Sequence, residues 1–191
     1  RDRSPPFIQD IIVKMGAYME ALSPQQKDVF YEAVASVTKF ERNEERRVVL
    51  VQNMMYSLNE ALKAVIKAGL ADGAAFHANE TLQTVRNVLR YNRVVCAVVG
   101  NDFTSQLVGY FQDFVDLFVL YAQAVVAAVR EKGEVVTGYQ QTRQEIIIKR
   151  EVIRIVQTFL ETYKQRGDAS GSIVDLKQLC GKFLPCLLYT S

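Results

Sequence analysis

Apolar residues recur along this chain at steps of three and four, the spacing that places them on one face of a helix. Ile8, Ile11, Ile12, Met15, Met19 and Leu22 form the first stripe. Ser23, Pro24 and Gln26 then read as a stop and a restart, with serine capping, proline in the first turn and glutamine closing a capping box. Phe30, Ala33, Val34 and Val37 mark the buried side of the next helix. After the charged run Glu41 to Arg47, the residues Val48, Val51 and Met55 face inward until Ser57, Leu58, Asn59 and Glu60, which read as a second capping box. Leu58, Leu62, Val65 and Ile66 continue to Gly69 and Gly73.

A short linker through His77 leads to Asn79, the expected N-cap of a stripe through Leu82, Val85, Leu89 and Cys96 that stops at Gly100. Asp102 is expected to cap the longest helix. That helix carries Phe103, Leu107, Phe111, Phe114, Phe118, Tyr121, Val125 and Val129, and runs to Gly133. Ile148, Val152, Ile155, Val156, Phe159 and Tyr163 mark a further helix ending near Gly167. Ser172 and Asp175 open a last one, with Leu176, Leu179, Cys180 and Phe183 inward and Pro185 at its end. No strand-period pattern of comparable length occurs.

Grouped in twos, these eight helices give four hairpins at about 7–40, 44–70, 79–133 and 139–188. The intervals are uneven, and the first two starts are separated by about 37 residues, a little under the roughly 40 to 47 of HEAT or armadillo units. The pattern predicts an all-α chain, an α-solenoid of HEAT-type helical hairpins over 1–191, in preference to a closed bundle.

Composition sharpens this in a few respects. Of the 191 residues, 49% are hydrophobic and only 4 are proline, which describes an ordered helical protein and excludes a disordered or collagenous one. The 23 basic and 21 acidic residues leave a formal charge of +2, too balanced for a nucleic-acid footprint. The first residue is Arg1 rather than methionine, as expected of a processed chain, a trimmed one or a fragment. Nothing near it reads as a secretory signal. The longest uncharged apolar stretch, Leu117 to Val129, falls about a third short of the roughly 18 to 20 residues that span a bilayer, so no membrane insertion is expected.

Candidate chemistry is sparse. Cys96, Cys180 and Cys186 have no zinc or thioredoxin spacing, which favours a reducing compartment, and Cys96 among valines reads as core. His77, the one histidine of the sequence, reads as a loop residue. Asp113 and Asp116 share a helix face; paired carboxylates can do acid and base work, but a solvated face is the preferred reading. No phosphate-cradling loop, dinucleotide fingerprint or Glu-x-x-His pair is present. No enzyme, cofactor or metal site is expected. Arg143, Lys149, Arg150 and Arg154, interleaved with Glu145, Glu151 and Glu161, read first as ion pairs on a wet surface and second as a contact for an acidic partner.

Particular residues carry a family resemblance. Leu22, Pro24, Gln25, Gln26, Phe30, Tyr31, Glu32, Ala33 and Val34 are similar to the Leu-x-Pro-Gln-Gln stretch and following Phe-Tyr-Glu-Ala-Val of the exportin of leucine-rich nuclear export signals, the chromosome-region-maintenance type within the karyopherin (importin-beta) superfamily. Pro6, Phe7, Ile8, Leu89, Asn92, Cys96, Val99, Gly100, Phe103, Gly133, Glu134, Val136 and Thr137 extend the resemblance, as does the Lys149, Arg150, Glu151 step. It runs in order from about residue 6 to residue 188.

The resemblance implies a central-to-C-terminal fragment of a receptor built of HEAT repeats, which shuttles between nucleus and cytoplasm through the nuclear pore. Its implied partners are GTP-bound Ran, export cargo proteins and nuclear pore proteins, with no direct nucleic acid. In the family the groove for the export signal and its reactive cysteine lie just before this stretch, so no groove residue is assigned and the partner-binding residues are unknown. Tyr189, Thr190 and Ser191 break from the family pattern, and 186–191 is a candidate non-native tail. The alternative expectation is a stand-alone HEAT-type adaptor with no transport role.

Overall fold

A computed structural model describes residues 7–164 and residue 181. The elements are α1 (Phe7–Val13), α2 (Met15–Glu20), α3 (Pro24–Thr38), α4 (Glu44–Ala71), α5 (Gly73–Phe76), α6 (Asn79–Val99), α7 (Thr104–Lys132) and α8 (Gln140–Lys164), with 3-10 turns at Gly100–Phe103 and Glu134–Gly138. Among the described residues no strand occurs, and the all-α expectation holds. The expected last helix, with Ser172, Asp175, Leu176, Leu179, Cys180, Phe183 and Pro185, lies outside the described residues apart from Gly181, as does the tail at 186–191.

Local chemistry sets several boundaries where the sequence places them. The Gln26 N–H donates to Ser23 Oγ at 3.3 Å and the Ser23 N–H to Gln26 Oε1 at 2.8 Å, which completes the capping box at α3. Gly100 and Gly133 stop α6 and α7 with φ of 61° and 76°, a region that costs a residue with a Cβ. The first stripe is divided at Lys14 into α1 and α2. Backbone bonds from Lys14 to Asp10 and from Tyr18 to Lys14 keep the two nearly continuous.

Three expectations fail, two of them because a distant partner outweighs a local signal. The expected hairpin over 44–70 is the single helix α4, with no break at Ser57 or Asn59. Asn59 caps nothing; it is fully buried and its Oδ1 accepts from Asn92 Nδ2 at 2.9 Å. Asp102 is not the N-cap of α7, which is Phe103 without a side-chain bond; its carboxylate instead holds Arg47. Asn79 is the first residue of α6, and Ala78 occupies the cap position.

Packing arranges the helices in two rows. α6 lies between α3 and α8, while α7 packs on α4 and α8, and α1 sits on α3 and α4. Two bonds fix the direction of α6 against α8. Arg86 reaches Gln144 and Arg93 reaches Glu151, each 58 residues on, so these helices run parallel. Phe103, Phe111, Phe114, Phe118 and Tyr121 fill the core between the rows. The helical run Asn79–Lys132 contains an 18-residue window of mean hydropathy 1.5, long and apolar enough by itself to cross a membrane, which the sequence reading did not expect. Phe114, Leu117, Phe118 and Tyr121 on that run are buried in the protein core, and 33% of the window is buried.

Candidate partner surface

The two rows hold the polar and charged candidates in three places. On the α3, α6, α8 row, arginines bridge neighbouring helices. Arg90 pairs with Asp28, and Arg93 Nε meets Glu151 Oε2 at 3.0 Å while Arg154 Nη1 meets Glu151 Oε1 at 2.7 Å. Glu151 is only 9% exposed, so one carboxylate ties two arginines across the α6–α8 seam. The basic stripe of α8 is therefore partly spent on holding helices together. Arg143 and Arg150 point to solvent. Lys149 Nζ sits 5.5 Å from the centre of the Phe118 ring, and burial holds its ammonium below the usual lysine range.

Asp113 and Asp116 lie where α7 meets α4. Lys63 Nζ stands 4.5 Å over the Tyr110 ring and 3.1 Å from Glu60, whose Oε1 accepts from the Tyr110 hydroxyl at 3.4 Å. Burial raises the Asp113 pKa most; Lys63 opposes this, and Asp116 and Glu60 add to it. Asp116 accepts from Gln112 Nε2 at 2.7 Å. The sequence paired the two aspartates; the fold adds Glu60, Lys63 and Tyr110, which a reading confined to one helix cannot supply.

His77 ends α5 rather than lying free in a loop. Its Nδ1 is 2.8 Å from Glu145 Oε1, and the Glu145 side chain is only 4% exposed. The neighbouring Phe76 ring stacks on Tyr121 with centroids 4.3 Å apart, and the Tyr121 hydroxyl donates to the Phe76 carbonyl at 3.2 Å. This knot joins α5, α7 and α8. Sequence reading placed Glu145 among surface ion pairs, although its position between the apolar Thr142 methyl and Ile148 on one helical face is a signal of burial.

Cys96 is fully buried, and burial pushes its thiol up to about 12, so the core reading holds. Cys180 and Cys186 lie outside the described residues. No group of three or more His, Cys, Asp or Glu is placed to hold a metal among the described residues. Two hollows adjoin these clusters. One of about 540 Å³ lies between α2, α3, α4 and α6, against Met15, Met19, Tyr31, Met54 and Tyr91. The other, of about 310 Å³, adjoins His77 and Glu145.

Comparison with known proteins bears on these surfaces. Residues 106–190 match the family described as CRM1 C terminal. Protein EXPORTIN 1B of Arabidopsis thaliana is 24% identical over 158 residues, covering 83% of this chain and 15% of the plant protein. Exportin-1 of Schizosaccharomyces pombe is 24% identical over 155 residues, covering 81% of this chain and 14% of the yeast protein. Exportin-1 of Drosophila melanogaster is 21% identical over a similar share, 81% of this chain and 14% of the fly protein. The chain thus spans about one seventh of the length of the curated relatives it matches. A match to that family over residues 106–190, and similarity to exportins of plant, yeast and fly over most of a chain whose described residues are largely helical, make the chain similar to the CRM1-type exportins.

Proposed function

We propose that this chain is a segment of a nuclear export receptor, which carries cargo bearing leucine-rich export signals out of the nucleus with GTP-bound Ran. The segment acts as scaffold and partner surface and performs no catalysis. The observation that carries the reading is the register of α6 and α8, parallel neighbours joined at Arg86–Gln144 and Arg93–Glu151. Parallel equivalents in one row, with α4 and α7 in the other, are what a stack of HEAT-type hairpins requires. In this reading the hairpins are α3 with α4 and α6 with α7, and α8 opens the next.

A solenoid of such units bends as a whole. Two ligands that favour the same curvature then bind with positive and reciprocal coupling, without either touching this segment. Cargo and GTP-bound Ran are the two ligands, nuclear pore proteins are further contacts, and the receptor shuttles between nucleus and cytoplasm.

The test uses the native protein that bears this segment. It is passed over immobilised Ran loaded with a non-hydrolysable GTP analogue, with and without a leucine-rich export peptide. Retention that rises with the peptide and is lost on GDP-loaded Ran is expected. Equal retention on both nucleotide states, or none, overturns the transport reading in favour of a stand-alone HEAT-type adaptor.

A further inference from the structure

The hollow of about 310 Å³ lies between α5, the C-terminal half of α7 and the start of α8. Ala124, Ala127 and Ala128 line one side, and their short side chains leave the room that larger residues on α7 would fill. Glu145 lines the opposite side, 4% exposed, with one oxygen engaged by His77. Glu131 and Lys132 complete the charged lining, so two carboxylates and one ammonium line the hollow beside the His77 ring. The larger hollow beside Met15 and Tyr31 has Lys27 as its charged lining and no carboxylate, so it offers no comparable recognition.

We propose that this hollow is a binding site for the guanidinium group of an arginine side chain on a partner polypeptide. The chemistry selects among cations. Too few ligands converge for a metal. A compact ammonium is strongly hydrated and loses more on entering an alanine-lined space than the weakly hydrated, planar guanidinium, which also meets a carboxylate with two parallel N–H donors. The methylene stem of arginine covers the alanine side while its head reaches Glu145. His77 positions the carboxylate by holding one oxygen. The carboxylate of free arginine would meet Glu131 as well as Lys132, whereas an arginine embedded in a chain brings no such charge against Glu131. The inference stands on this geometry and is independent of the transport reading.

The 191-residue chain, labelled with 15N, is titrated with acetyl-Ala-Arg-Ala-amide and with its lysine and citrulline counterparts. Saturable shifts confined to His77, Ala124, Ala127, Ala128 and Glu145 are expected for the arginine peptide. The expected affinity is about tenfold weaker for lysine, and the neutral citrulline peptide should give no shifts. Glu145→Gln should abolish the shifts, and Ala127→Leu, which fills the hollow from an exposed position and spares the carboxylate, should do the same. Equal binding of the citrulline or lysine peptide, no shifts at all, or shifts that survive in Ala127→Leu would overturn the site. Tighter binding of free arginine than of the capped peptide would overturn the assignment to a polypeptide.

Discussion

Asp102 takes two arms of one guanidinium: Arg47 Nε lies 2.8 Å from Oδ2 and Nη2 3.2 Å from Oδ1. Arg47 Nη1 also donates to the Glu41 carbonyl at 3.0 Å. The start of α4 is thereby fastened to the corner where α6 gives way to α7. The hydrogen bond to Asp102 is the main cause that raises the Arg47 pKa further. With Asp102 4% and Arg47 17% exposed, removal of one partner strands a charge in a partly dry place. Asp102→Ala is expected to cost about 2 to 3 kcal/mol, discounted from the fully buried case, as read by urea unfolding. Arg47→Ala with Asp102→Ala should cost less than the sum of the singles.

The buried amides of Asn59 and Asn92 make a second fastening, between α4 and α6. Asn92 Nδ2 also donates to the Val88 carbonyl at 2.9 Å, while Asn59 Nδ2 and Asn92 Oδ1 have no partner. Asn92→Ala leaves Asn59 wholly unsatisfied and is expected to cost about 1 to 3 kcal/mol. Replacing both with leucine should recover most of that loss, because no orphaned polar group then remains. A double-mutant cycle in denaturant reads the difference.

Two glycines should respond oppositely to alanine. A Cβ at Gly69 would run into the Phe76 ring, which is itself packed on Tyr121, so Gly69→Ala is expected to cost about 1 to 3 kcal/mol. Gly109 lies on an exposed part of α7 with nothing within 4 Å of a new Cβ. Gly109→Ala is therefore expected to stabilise by about 0.5 to 1 kcal/mol. Thermal unfolding of the two variants should move to opposite sides of the parent.

Alkaline pH is the sensitive side of this core. The Cys96 thiol is raised from 9.0 to about 12 by burial, so between these values the unfolded chain releases a proton that the folded chain keeps. Stability is then expected to fall as pH rises, by about 1.4 kcal/mol per pH unit for this group within that window. Burial first, and then the Glu145 charge, raise the Tyr121 hydroxyl as well, in the same direction. Denaturant midpoints measured from pH 8 to 11 should drop for the parent and drop less for Cys96→Ala.

Elements whose boundaries rest on neighbours in sequence were legible. The capping box at Ser23 and Gln26 is a four-residue device, and Gly100 and Gly133 stop their helices through their own backbone freedom. The core stripe of α7 was readable for the same reason: Phe111, Phe114, Phe118 and Tyr121 follow from helical spacing alone. What was not legible depended on partners far along the chain. Asn59 and Asp102 carry the chemistry of caps, and only Asn92 and Arg47, 33 and 55 residues away, turn them into tertiary fastenings. Misreading Asn59 divided α4 in two and so separated it from α3, while the start expected at 79 coincides with that of α6. The hollow beside Glu145 was hidden likewise, since its parts come from α5, α7 and α8.

Fluorescence anisotropy tests the central claim most directly, by titrating a labelled leucine-rich export peptide with the 191-residue chain and, in parallel, with the complete receptor and GTP-bound Ran. If this segment is scaffold, the complete receptor gives saturable binding and the segment alone gives none. Micromolar or tighter binding by the segment itself would contradict the account, because it would place a cargo groove within these helices.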